Sequence, residues 1–194
     1  MIQEYKDRIK VTAHAIHAST NHIYGKKHPY GFHLDMVHSC YTLFSHELKK
    51  DEFYDNWGRH QSDTRKPVMT LDEYVDMVIT EGIYFHDTIE DCRVTYHDLL
   101  DKYKLDVLSA EIVYAVTDDK GRNRAERGNL TLYLNMRKIP GATFVKMCDR
   151  LANMSFSKKE GFTMFEKYKS ELPLFLGRVD ADKYPELKKA LLDL

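Results

Sequence analysis

The sequence predicts an all-α bundle of roughly eight helices, and three observations predict it. Only five prolines and nine glycines interrupt 194 residues. Valine, isoleucine and threonine never alternate in a sustained two-residue period. Apolar residues recur instead at spacings of three and four, as on a helix with one buried face.

The first helix is expected over 2–23, closed by Gly25. After the turn Lys26-Lys27-His28-Pro29-Tyr30-Gly31, the next helix carries His33, Val37, Cys40, Tyr41, Phe44 and Leu48 on one face, so its apolar stripe includes a histidine. The stretch 49–69 is polar, with Trp57 as its only large anchor, and reads as an insertion, part helix and part loop. Thr70-Leu71-Asp72-Glu73 is a capping box, in which the threonine and the glutamate satisfy each other's free backbone N–H groups. The helix it opens carries Tyr74, Val75, Val78, Ile79, Gly82 and His86, which places His86 on a buried stripe. Thr95-Tyr96-His97-Asp98 starts a short helix, and Leu108, Ile112, Ala115 and Val116 mark the next. A charged loop over 117–128 and a helix near 130–138 lead to the break Pro140-Gly141. Phe144, Val145, Cys148, Leu151 and Ala152 then define a helix that also carries Asp149, Gly161 ends it, and one or two helices finish the chain.

The length, with 43% hydrophobic and 12% aromatic residues, suits one globular domain over 1–194 with the insertion at about 49–69. Lys+Arg 29 against Asp+Glu 30 gives a formal charge of -1, which argues against a nucleic-acid partner; an anionic ligand needs a local basic patch. Cys40, Cys92 and Cys148 form no CxxC pair and read as reduced thiols. No stretch suits a bilayer, and the first residues lack the apolar core of a signal peptide, so a cytoplasmic protein is expected. Oligomeric state stays open.

The chemistry-bearing residues are few. His86-Asp87 is followed within one turn by Glu90 and Asp91, while His33 and Asp149 stand on other helices. Imidazole and carboxylate together suit Mn²⁺, Fe²⁺ or Zn²⁺. With His33, His86, Asp87 and Asp149 around one ion, about two positions of a six-coordinate cation remain for water and substrate. That pattern points to hydrolysis of a phosphate ester or anhydride. Glu90 and Asp91 should project one turn further along the same face if the helix continues, where either could orient water or accept its proton. His14, His17 and His22 share the first helix without carboxylates on that face, and read as surface or packing residues.

Four segments carry a resemblance: Pro29-Tyr30-Gly31-Phe32-His33; His86-Asp87-Thr88-Ile89-Glu90-Asp91 with Val94-Thr95; Val116-Thr117-Asp118-Asp119-Lys120; and Val145-Lys146-Met147-Cys148-Asp149-Arg150-Leu151-Ala152-Asn153-Met154. Together they resemble the HD-domain hydrolases, and more narrowly the alarmone hydrolase domain of RelA/SpoT-type proteins and their small metazoan homologues. Generic HD proteins usually have the first dyad without the Asp-Arg-Leu-x-Asn signature.

The resemblance implies an HD-type helical fold. It implies one Mn²⁺ on His33, His86, Asp87 and Asp149, water managed by Glu90 and Asp91, and Asn153 beside a nucleotide sugar. The implied reaction removes the 3′-pyrophosphate of guanosine tetra- or pentaphosphate, giving GDP or GTP and pyrophosphate. The chain departs from the family at Leu34, where proline is common, and in the short stretch between Lys26-Lys27 and His33. Tyr24 is therefore a candidate purine platform. Lys26, Lys27, Lys120, Arg122, Arg124, Arg127, Lys146 and Arg150 are candidate phosphate donors, with Lys26, Lys27, Arg124 and Arg127 favoured. Two rival readings remain: another HD phosphohydrolase, such as a nucleoside 5′-monophosphatase, and a non-catalytic nucleotide-binding module.

Overall fold

The computed structural model describes residues 2–118, 122 and 124–194, with Ile2, Arg124 and Ala125 described by backbone alone. The architecture is all-α, consistent with an HD-like bundle. Twelve helices occur among the described residues, because several one- and two-turn helices join the expected eight. None is long and apolar enough to cross a membrane.

Helix α1 spans Ile2–Ser19, shorter than the periodicity suggests. Ser19 and Thr20 turn their hydroxyls back onto the carbonyls of Ile16 and His17, at 2.7 and 2.9 Å. Asn21 then takes a left-handed φ of 53°. The chain enters a minimal antiparallel hairpin of β1 (Ile23–Tyr24) and β2 (His28–Pro29), paired Ile23 to Pro29 and Tyr24 to His28. Two-residue strands carry no readable period, so the sequence reading extended the helix through them.

Helix α2 (Gly31–Phe44) carries His33 on its buried face. In the 49–69 segment, α3 spans Tyr54–Ser62. Trp57 donates to the Met69 carbonyl at 2.9 Å. The deeper anchor is Phe53, 1% exposed, which lies in a short 3₁₀ turn outside any helical stripe.

Helix α4 (Leu71–Phe85) begins at the Thr70–Glu73 capping box. It does not run on through His86-Asp87. His86 Nδ1 donates to the Ile83 carbonyl at 2.7 Å and Thr88 Oγ1 to that of Phe85, also at 2.7 Å. Asp87 adopts φ −100°, ψ 0°, and a separate single-turn helix α5 (Thr88–Asp91) follows. The side chains of His86 and Thr88 thus take two of the carbonyls that a continuing helix would use.

Next come α6 (Tyr96–Asp101), α7 (Val107–Val116), α8 (Arg124–Arg127) and α9 (Leu130–Met136). Helix α10 (Ala142–Lys159) starts at Gly141, whose φ of +81° opens the turn. A Cβ at Gly141 would run into Ile79 and crowd Phe53 and Ile112, so only glycine lets α10 begin this close to α4 and α7. Helix α11 (Met164–Val179) and α12 (Pro185–Leu192) pack against α10, which also contacts α2 and α7.

Two apolar clusters hold these elements. The larger includes Val37, Phe144, Val145, Met147 and Cys148; the smaller includes Leu34, Tyr84, Phe85 and Val113. Burying a side chain the size of Phe144, fully enclosed here, stabilises the fold by about 1.5–3 kcal/mol. His33 and His86 adjoin Leu34 and Phe85 of the smaller cluster, whereas Asp149 follows Cys148 of the larger. The functional residues therefore lie along the seam between two rigid clusters.

Candidate metal centre and its cleft

Three helices deliver the donors. His33 comes from the first turn of α2, His86 from the end of α4 and Asp149 from the middle of α10, while Asp87 sits in the α4–α5 break. Both imidazoles are 1% exposed. His33 Nε2 and His86 Nε2 face each other at 3.4 Å. Asp149 Oδ1 lies 3.2 Å from His33 Nε2 and 3.7 Å from His86 Nε2. Asp87 Oδ2 lies 2.8 Å from His86 Nε2 and 3.6 Å from His33 Nε2.

Among the described residues, His33, His86 and Asp149 form a possible metal-binding triad, their donor atoms all within 4.8 Å of one another. The local chemistry fits a divalent cation. The Nδ1–H of His86 is committed to the Ile83 carbonyl, so Nε2 carries the lone pair and points inward. Two inward imidazole nitrogens between two carboxylates form a donor set for a cation, and protonated imidazoles donate to the same carboxylates when no cation is bound.

The electrostatics agree. Burial opposes charge on His86, but the Asp87 and Asp149 carboxylates outweigh it and hold the imidazole pKa well above its ordinary value. Burial likewise opposes ionisation of Asp149, and hydrogen bonds from His33 and His86 bring its pKa well below the carboxylate range. Asp87 is lowered too, chiefly by the His86 charge acting against burial. The site is built for positive charge.

Supporting contacts fix these groups. The Tyr30 hydroxyl donates to Asp87 Oδ2. Burial and the Asp87 charge keep that phenol protonated. Asn153 Nδ2 donates to Asp149 Oδ1 at 2.5 Å, and Tyr24 donates to Asn153 Oδ1 at 2.8 Å. The Tyr24 ring stacks on His33 at 4.7 Å and meets Phe156 at the same distance, so its faces are engaged by protein.

A cleft of about 520 Å³ opens beside the donors, lined by Asp87, Asp149, Asn153, Glu90 and Tyr30 at one end and by Arg127, Lys167, Tyr168 and Arg178 among others. Within α5 the two acids that follow the dyad take different partners. Glu90 lines the cleft, whereas Asp91 turns toward His22, 3.6 Å away. Desolvation pushes Glu90 up to about 7, opposed by the Lys146 ammonium. Its solvent contact also tempers that rise. Desolvation and the Asp87 charge raise Asp91 as well.

The basic candidates part company. Arg127 lines the cleft with its side chain exposed, and the Arg124 side chain and Lys120 lie outside the described residues. Lys26 and Lys27 occupy the hairpin turn and are absent from the cleft lining; Lys27 pairs with Glu160 at 2.6 Å. Arg122 is tied to Glu126 at 2.9 Å. Lys146 donates to the Val116 carbonyl at 2.7 Å. Burial works against its charge, but Asp118, Asp149 and Glu90 hold its pKa above the ordinary value. Arg150 lies between Tyr168 and Phe175, with Glu171 at 3.3 Å, and serves to brace α10 on α11. Lys167 and Arg178, on α11, went unnoticed in the sequence reading because no motif marks that helix. The 49–69 segment contributes nothing to this cleft among the described residues; its residues His60, Lys66 and Pro67 line a separate one.

Part of the chain is similar to proteins of known chemistry. The human enzyme guanosine-3′,5′-bis(diphosphate) 3′-pyrophosphohydrolase MESH1 is 33% identical over 79 residues, 41% of this chain and 43% of that protein. Its counterpart from Danio rerio is 33% identical over 82 residues, 42% of this chain and 44% of that protein. The likeness is to HD-type hydrolases. It supports a hydrolase-type enzyme, and the matched region spans less than half the length of either relative. No known family model matches the chain.

Proposed function

We propose that the chain is a Mn²⁺-dependent hydrolase that removes the 3′-pyrophosphate of guanosine tetra- or pentaphosphate, yielding GDP or GTP and pyrophosphate. The observation that carries this reading is the convergence of His33, His86, Asp87 and Asp149 at the head of a cleft that also holds Glu90. The likeness to the two MESH1 enzymes supports the substrate class.

His33, His86, Asp87 and Asp149 would hold the cation. A divalent cation bound there supplies Lewis acidity toward a phosphoryl oxygen and makes water a better nucleophile at neutral pH. The chain's own residues do the rest. Glu90 accepts the proton of the attacking water, a task suited to a carboxylate poised near 7. Water adds to the phosphorus attached to the 3′ oxygen, the bond to that oxygen breaks, and the oxygen leaves as the 3′ hydroxyl after taking a proton. Asn153, fixed between Tyr24 and Asp149, presents its amide edge to the sugar. Lys167 and Arg127 bind the second phosphate arm, since neither has an ion pair among the described residues.

The test is a panel with Mn²⁺: guanosine tetraphosphate, NADPH, and nucleoside mono- and triphosphates, with pyrophosphate and phosphate release measured separately. The expected result is pyrophosphate from the tetraphosphate. If the protein ignores that compound and hydrolyses nucleoside 5′-monophosphates, the nucleotidase reading replaces this one. If nothing is turned over but nucleotides bind, the non-catalytic reading holds.

A further inference from the structure

Next to the catalytic donors, but outside the cleft, a second set of metal-ligating side chains meets. His17 on α1 is fully buried. Its Nδ1 lies 3.1 Å from His22 Nδ1 and 3.2 Å from Cys92 Sγ. His22 Nδ1 lies 3.6 Å from Asp91 Oδ2. The first two residues come from α1 and the turn after it, the others from the end of α5. The sequence reading set these histidines aside because α1 offers no carboxylate beside them. Folding brings the carboxylate and a thiol from elsewhere.

We propose that His17, His22, Cys92 and Asp91 form a second metal site, suited to a Zn²⁺-class cation. The spacing supports it. Tetrahedral zinc with nitrogen ligands at about 2.0–2.1 Å and sulfur at about 2.3 Å sets its donor atoms roughly 3.3–3.6 Å apart. The three neighbouring pairs here measure 3.1, 3.2 and 3.6 Å. The donor types fit as well, since one thiolate with two imidazoles favours a borderline or soft ion over a hard one. The donors form a chain, Cys92–His17–His22–Asp91, whereas those of the cleft triad are all mutually close. Bringing all four donors onto one cation would require Cys92 and His22, both half-buried, to rotate. On binding, the Cys92 thiol loses its proton to solvent and its sulfur bonds the metal.

Such a site ties the end of α1 to α5. It also backs the catalytic centre, because the Tyr30 ring stacks on His17 at 4.4 Å and on His22 at 3.8 Å while its hydroxyl holds Asp87. This assignment is independent of which substrate the cleft takes.

The experiment is a Co²⁺ titration of the chelator-stripped protein, read by absorption. The cleft donors contain no sulfur, so a thiolate-to-cobalt charge-transfer band reports the second site alone. The band should appear in the wild type, persist in His86→Ala and Cys40→Ser, and vanish in Cys92→Ser and His17→Ala. Absence of the band in the wild type, or its survival in Cys92→Ser, overturns the proposal. Should His17→Ala fail to fold, the nearly isosteric Cys92→Ser decides. Because His86→Ala removes a cleft ligand but no second-site ligand, failure of the cleft reading and failure of this one are distinguishable.

Discussion

The two ends of the cleft are built on different principles. At the metal end, three of the four donors are locked by hydrogen bonds: His86 by the Ile83 carbonyl, Asp87 by Tyr30, and Asp149 by Asn153, which Tyr24 holds in turn. The elements beneath are core helices of both apolar clusters. At the other end, Arg127 and Lys167 are exposed side chains on α8 and α11. On the proposed function, the contrast assigns reaction type to the buried, hydrogen-bonded part and substrate preference to the exposed part, which can vary without unfolding the protein. Damage at the first end should abolish chemistry, and damage at the second should retune affinity.

The largest effect is expected from His86→Ala or Asp149→Ala. Both should lose the bound metal and activity together, beyond the roughly 10–100-fold cost typical of a supporting residue. Metal content of the purified variants checks this, and a variant that keeps stoichiometric metal would break the comparison at its rigid end.

Glu90→Gln comes next. It should retain metal and lower kcat by roughly 10²–10⁴, the scale of a lost general base. The pH profile sharpens the point. Glu90 must be deprotonated to accept a proton, so with its carboxyl raised to about 7, kcat should fall as pH drops through that value. The acidic limb should flatten in Glu90→Gln; an unchanged limb would assign it to another group.

Much of the rigid end was legible in the sequence, and little of the other. His33, His86 and Asp149 stood out only jointly, through the His86-Asp87 dyad and the segments that resemble the HD-domain hydrolases, since each alone reads as an ordinary core or surface residue. The α4–α5 break was not legible, since it depends on His86 and Thr88 turning back onto carbonyls rather than on any proline or glycine. It sets where α5 begins, with Glu90 lining the cleft and Asp91 beside His22. The α11 wall escaped because Lys167 and Arg178 are ordinary surface bases until tertiary packing aims them. The His17–Cys92 contact joins residues 75 positions apart and leaves no local signal.

A smaller effect should follow Asn153→Ala, which frees Asp149 from its amide donor. Metal affinity should fall roughly 10–100-fold, measurable by competition with a chelating dye. Smaller still is the Lys167→Ala, Arg127→Ala pair. Losing the proposed phosphate contacts should raise KM about tenfold and leave kcat nearly intact. Should kcat collapse instead, the far wall shares in the chemistry and the division between the two ends fails.

Gly141 carries a consequence of its own. It lies eight residues before Asp149 in sequence, about 12 Å along a helix rising 1.5 Å per residue. Because a methyl group there collides with Ile79, Gly141→Ala should shift the start of α10 and carry the Asp149 carboxylate out of line with imidazoles held by α2 and α4. In a screen for inactive variants, this buried glycine would score as if it were a catalytic residue. The dimensional tolerance of the reaction centre is thus set at a joint two turns away, which neither the substrate nor the metal ever touches.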